Sequence, residues 1–190
     1  APYREDDGLR LGVWSTTGCR PLLALDLPGP YLRPRFSARG ALLGAARQGE
    51  EVTAWSLPDG RRLFSRSRQG GDPIAAHAFG PDGTSIAIAQ GDRLSLFEVE
   101  GGAYIATLAA PAEITALRAS RDGRLLAVGL QAGGALVVDL VSRERVASLP
   151  GIGQPAVTVA LHPTEPWLLA ATAPSFAGLE GGRERVEHGW

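Results

Sequence analysis

Three histidines, His77, His162 and His188, are the side chains best suited to acid–base or metal chemistry, and they lie far apart in the chain. No HxH, HExxH or close cluster of His with Asp or Glu offers a metal site. The serines lack the G-x-S-x-G context that would raise one as a nucleophile. A single cysteine, Cys19, allows neither an internal disulfide nor a cysteine-rich metal centre. Gly133-Gly134 reads as a hairpin turn, since no helix follows to lend its N-terminus to a phosphate. His77 falls at an inward-facing position of a β-prone run and reads as a core imidazole. His162 stands before Pro163 in a turn. These residues assign no catalytic role, no metal and no cofactor.

Charge and composition narrow the class further. Lys plus Arg number 19 and Asp plus Glu number 20 in 190 residues, a net charge of -1 with both signs interspersed. A nucleic-acid binder would carry a net positive charge or a basic stripe, so no nucleic-acid partner is expected. No apolar run reaches the 18 residues or so that a membrane helix needs, and none is expected to span a membrane. The acidic start, APYREDDG, is not a signal peptide. With one cysteine it places the chain in the cytoplasm. Gly at 25 and Pro at 14 make the chain rich in turns, while an apolar share of 44% argues for a packed core.

The elements that must carry any site repeat along the chain. IAAHAFGPDGTSIAIAQGDRLSLFEVEGGAYIATL begins at Ile74, ITALRASRDGRLLAVGLQAGGALVVDLVSRERVASL at Ile114, and VTVALHPTEPWLLAATAPSF at Val157. A weaker copy, YLRPRFSARGALLGAARQGEEVTAWSLPDGRRLFS, begins at Tyr31. The residue ahead of the turn pair is Ala38, Pro81, Arg121 and Pro163, at steps of 43, 40 and 42 residues. That period marks a four-stranded repeat. In each copy a β-prone run ends at a Pro-Asp-Gly, Arg-Asp-Gly or similar turn, and a small-residue run such as SIAIAQ or RLLAVG follows. Turns at Gly91-Asp92 and Gly133-Gly134 lead to a third strand, and another opens a fourth. An ordinary antiparallel sandwich would explain the strand count but not the fixed order of turns.

HAFGPDGTSIAIAQGDRLSLFEVEGG, LRASRDGRLLAVG and LHPTEPWLLAATA resemble the WD40 pattern over residues 31 to 180. The resemblance implies an all-β fold of β-propeller blades, each of four antiparallel strands, with about four and a half repeats present. Residues 1–30 read as a half blade, 31–73, 74–113 and 114–155 as blades, and 156–190 as a divergent last blade. In the half blade, LRLGVWSTTGCRPLLALDLPG resembles the last two strands. The family's Trp-Asp dipeptides are absent. Their places are taken by Ala54-Trp55-Ser56, Leu96-Phe97-Glu98 and Val138-Asp139-Leu140, so stability is expected to come mainly from apolar packing between blades. A propeller must close, because an open array leaves apolar faces uncovered. The chain is thus a portion of a larger propeller, or is completed by another copy or subunit, or closes as a small ring.

Recognition by such a fold uses the loops at its two ends and the mouth of its channel. Arg39, Gln90 and Gln131 stand among the polar turn residues, whereas Asp82 and Asp122 are explained by turn geometry beside Gly83 and Gly123. Large rigid aromatics are better anchors. Trp55 holds the aromatic position of a third strand and reads as packing. Trp167 directly follows the turn at Glu165-Pro166 and reads as a contact, and Trp190 as the residue that meets whatever completes the ring. Arg61, Arg62, Arg66 and Arg68 form the densest basic patch and read as a solvated outer strand. The expected function is a noncatalytic protein-interaction scaffold with a protein partner, including self-association or a second chain. The alternative is an enzyme or small-ligand propeller with its site on the central axis.

Overall fold

Between Ser85 and Gln90 the side chains alternate large and small, Ile86 and Ile88 with Ala87 and Ala89, and all four are buried in the computed structural model. A strand whose two faces are both buried must lie between two other layers. The structure, which describes residues 10–27, 29, 31–151 and 153–172, supplies those layers with strands alone; no helix occurs among the described residues. A two-stranded sheet pairs β1 (Arg10–Trp14) with β2 (Pro21–Asp26). Three antiparallel four-stranded sheets follow, each in chain order. They contain β3 (Tyr31–Phe36), β4 (Leu42–Arg47), β5 (Glu51–Ser56) and β6 (Arg62–Ser67); then β7 (Ile74–Phe79), β8 (Ser85–Gln90), β9 (Arg93–Glu98) and β10 (Tyr104–Ala109). The third holds β11 (Ile114–Ala119), β12 (Leu125–Leu130), β13 (Ala135–Asp139) and β14 (Glu144–Leu149). The pair β15 (Ala156–Leu161) and β16 (Leu168–Thr172) completes the described set.

Each sheet packs chiefly on its neighbours in sequence, and the alternation in the second strand decides how. Ile86 and Ile88 join Leu42, Val52 and Phe64 of the preceding sheet in one core. Ala87 and Ala89 join Leu117, Leu126 and Val128 of the following sheet in another. In β12 the same division holds, with Leu126 and Val128 facing backward and Ala127 forward onto Val159. Small residues face the next sheet because its first strand comes close there. A side chain at Gly44 would sit 3.0 Å from the Phe79 ring, and one at Gly129 would sit 3.1 Å from Ala156 and Val159. First strands therefore converge, with β7 against β11 and β11 against β15, while the fourth strands splay outward. The result is a wedge-like, blade-like stack.

Convergence brings unpaired strand edges together, and polar side chains satisfy them. The Arg33 guanidinium donates to the carbonyl of Ala75, and the Thr115 hydroxyl to that of Ala156, each reaching the next first strand. Turns tie the sheets as well: the Ile74 amide donates to Gly49 and the Ile114 amide to Gly91, at 2.7 and 2.8 Å.

Apolar packing is not the whole account of stability, since one blade keeps a buried carboxylate network. Asp139 is buried at the end of β13, and its Oδ1 accepts the amides of Val141 at 2.8 Å and Ser142 at 3.2 Å. Its Oδ2 accepts Arg124 Nε at 2.8 Å. Burial alone would raise its pKa, but the Val141 amide, Arg124 and the Ser142 amide together hold it below the ordinary carboxylate value. Asp139→Ala leaves these donors without an acceptor, so urea denaturation should show a loss of about 1–3 kcal/mol. A depressed carboxylate stabilises above its unfolded pKa, so this contribution should persist at neutral pH and fade below about pH 4. Unchanged stability in the variant would contradict that role.

Candidate functional site

The turns between first and second strands share one design. The amides of Ser37, Gly80, Ser120 and His162 donate to the carbonyls of Leu42, Ser85, Leu125 and Trp167, respectively. Side chains at the same positions cap the loop: Ser37 Oγ accepts the Leu42 amide, and Ser120 Oγ accepts that of Leu125. In the last turn His162 takes this part, its Nδ1 accepting the Glu165 amide at 2.9 Å. The accepting Nδ1 puts the proton of the neutral ring on Nε2. Ser120 also donates to Asp122 at 2.5 Å, and with the Arg124 amide this holds the Asp122 carboxyl below its usual value. His162 and Asp122 thus serve turn geometry.

That turn presents Trp167. Its indole packs on the His162 ring with centroids 5.1 Å apart, yet 64% of the residue is exposed. Register explains the exposure. Leu161 pairs Leu168 as Ala119 pairs Leu126, so Trp167 and Leu169 hold the places of Leu125 and Ala127. On that face the other sheets carry Gly44, Ala87 or Ala127 and receive the next sheet. Here the face carries Leu169, 58% exposed, beside an open apolar hollow of about 620 Å³ lined by Ala160, Leu161, Trp167 and Leu169. Val157 on β15 is exposed as well.

The stack's other end has a matching face. Leu11, Val13, Leu25 and Leu27 turn toward Leu43, Ala45 and Trp55 of the next sheet. Alternation sends Gly12, Leu22 and Ala24 to the opposite side, where any side chain at Gly12 would run into the Trp14 ring. Trp14 is 61% exposed and Leu22 54%. Each end sheet therefore displays one tryptophan and one leucine.

The sequence-predicted contacts do not gather in one place. Arg39 and Trp167 lie at turns between first and second strands, Gln90 and Gln131 at the opposite end of the sheets. Arg39 Nη2 pairs with Asp82 Oδ1 at 2.8 Å, linking consecutive turns. Gln90 is engaged too: its amide group donates to the carbonyls of Gln69 and Asp72 and holds the chain entering β7. Gln131 is exposed, with its backbone amide bound to Glu113. Trp190 lies outside the described residues. Trp55 is buried in the sheet core. The basic patch is dispersed: Arg68 pairs with Glu50, Arg61 with Glu100, and Arg66 lies 4.6 Å over the Phe97 ring. Leu22 and Leu169 escaped the sequence reading. The signal for Leu169 is a leucine where the repeat otherwise keeps alanine or glycine.

Among the described residues no group of three or more His, Cys, Asp or Glu is arranged to hold a metal ion. No helix there is long and apolar enough to cross a membrane. No family model matches the chain, and no curated protein matches it significantly.

Proposed function

We propose that this chain is a noncatalytic protein-interaction module of WD40-like blades that works in the cytoplasm and docks through its end faces. The observation that carries the reading is the exposed Trp167–Leu169 face, at positions where each of the three four-stranded sheets receives a neighbour. The occupant that fits is another blade-like sheet, supplied by a second copy. Sheets in this stack join head to tail, forward face on backward face, and the Trp14–Leu22 face is the backward one. Such a contact is heterologous, so copies add in one direction and close only if the rotation allows. The exposed free Cys19 suits a reducing compartment.

Light-scattering mass measured over a range of concentration tests this. The intact chain should grow from one chain mass toward two or more as concentration rises. Trp167→Glu should weaken the association at least about thirty-fold, the effect of losing an anchoring aromatic worth about 2 kcal/mol. Because the residue is mostly exposed, the variant should unfold like the parent, and Arg39→Ala should leave association unchanged. One chain mass at every concentration would overturn the reading.

A further inference from the structure

Inside the stack, the converging first strands enclose a basic site that docking through the end faces does not use. Arg35 of β3 pairs in register with Gly44, and Arg118 of β11 pairs with Ala127. The matching residue of β7, between them, is Ala78, opposite Ala87. Two long cations thus flank a strand that offers only a methyl group. The space left is a pair of neighbouring cavities of about 140 and 230 Å³, both lined by Arg35, His77, Leu117 and Arg118. Arg33 borders the smaller one. No carboxylate lines either, and among the described residues none of these three arginines has an acidic partner. Other arginines of the sheets are paired, as in Arg10 with Asp26 and Arg68 with Glu50, and others again stand at the surface without a carboxylate among the described residues; what marks these three is that they border cavities free of any carboxylate.

His77 is the second, independent sign. It pairs with Ile88 as Leu117 pairs with Val128 and Val159 with Ala170, so it stands where later sheets bury an aliphatic residue. It is 3% exposed, and neither ring nitrogen has a hydrogen-bond partner, although the Gly44 backbone lies beside the ring. An imidazole buried without partners at the wall of two cavities is a donor awaiting an acceptor.

We propose that the inner-edge cavity binds a small oxyanion group, phosphoryl or carboxylate, of a free small molecule between Arg35 and Arg118, with His77 donating a ring N–H to it. Arginine suits the task, since its planar fork grips two oxygens of either group at once. Arg33 adds charge while its Nη1 stays on the Ala75 carbonyl.

The test uses the intact chain with inorganic phosphate as one probe and malonate as the other, each against chloride at equal ionic strength. Phosphate, malonate or both should raise the unfolding midpoint and move the ¹⁵N signals of the His77 ring; which one acts distinguishes phosphoryl from carboxylate recognition. Arg118→Gln should weaken the binding about ten-fold, Arg118→Lys by less, and Arg39→Gln, at an exposed ion pair, should leave it unchanged. Should Arg118→Gln fail to fold, the His77 signals of the parent decide the matter. Equal responses in parent and Arg118 variants, or no response to either probe, would overturn the site.

Discussion

Replacing three equivalent turn glycines by alanine should produce a graded series of losses, with Gly123→Ala the largest at about 2–4 kcal/mol. Gly40, Gly83 and Gly123 close the same turn in successive sheets, with φ of 70°, 71° and 76° and amides bound to residues 37, 80 and 120. An alanine in this left-handed region costs about 1 kcal/mol at each of them. What differs is the neighbour. A methyl at Gly40 meets nothing within 4 Å, so Gly40→Ala should cost little more than that. At Gly83 it meets Leu42 Cδ1 at 3.1 Å, a side-chain end that can give way. At Gly123 it lies 2.8 Å from Pro81 Cα and 2.9 Å from the Gly80 carbonyl oxygen, backbone atoms of the preceding turn. Relieving that clash means shifting one sheet against another, which adds about 1–3 kcal/mol. Urea denaturation of the three variants reads the order directly. Equal losses at Gly40 and Gly123 would mean that these turns do not touch as described.

The second large effect is a dependence of stability on pH that one substitution should abolish. Burial pushes the His77 pKa from 6.5 down to about 4; the Gly44 backbone opposes it, and the nearby Arg33 guanidinium adds a smaller push in the same downward direction. A group with a depressed folded pKa is fully compatible with the fold above its unfolded value and opposes it as protons bind. Stability should therefore be level above about pH 6.5 and fall steadily toward pH 4, by roughly 3 kcal/mol in all. His77→Leu installs the residue that Leu117 supplies one sheet later. It should gain about 1–3 kcal/mol at neutral pH, because an unsatisfied buried group is removed. Its stability should then stay level until the carboxylates of Asp59, Asp122 and Asp139, all held below their usual values, titrate below about pH 4. A variant that keeps the slope between pH 6.5 and 4 would show that another group controls it.

How far the sequence foretold these features depends on how local their causes are. SIAIAQ and RLLAVG become β8 and β12 because alternating small and branched residues suit a strand buried on both faces. The turns fall at Gly40, Gly83 and Gly123 because only glycine accepts that backbone angle cheaply. Even the weak copy at Tyr31 forms its sheet, although its pairing slips between Leu32 and Arg35, where Pro34 has no amide to donate. Asp139 was legible only as a departure from Trp-Asp; the amides it binds depend on how the chain turns after β13. Sites made by neighbouring sheets were not legible. Arg35 and Arg118 are 83 residues apart and border the same cavity only because first strands converge. Nothing local in HAF reveals that the imidazole lacks partners. The Arg39–Asp82 pair likewise needs two turns stacked, and Leu169 is exposed only because of the register at Leu161 and Leu168.

Docking of forward onto backward end faces can be tested directly by cross-linking. With Cys19 replaced by serine, Leu22→Cys can be placed in one preparation and Leu169→Cys in another, and the two mixed under mild oxidation. Head-to-tail docking predicts a mixed Leu22→Cys–Leu169→Cys disulfide well in excess of either homodimer, and its loss when Trp167→Glu is added. Homodimers alone, or no cross-link at concentrations where the parent associates, would contradict it.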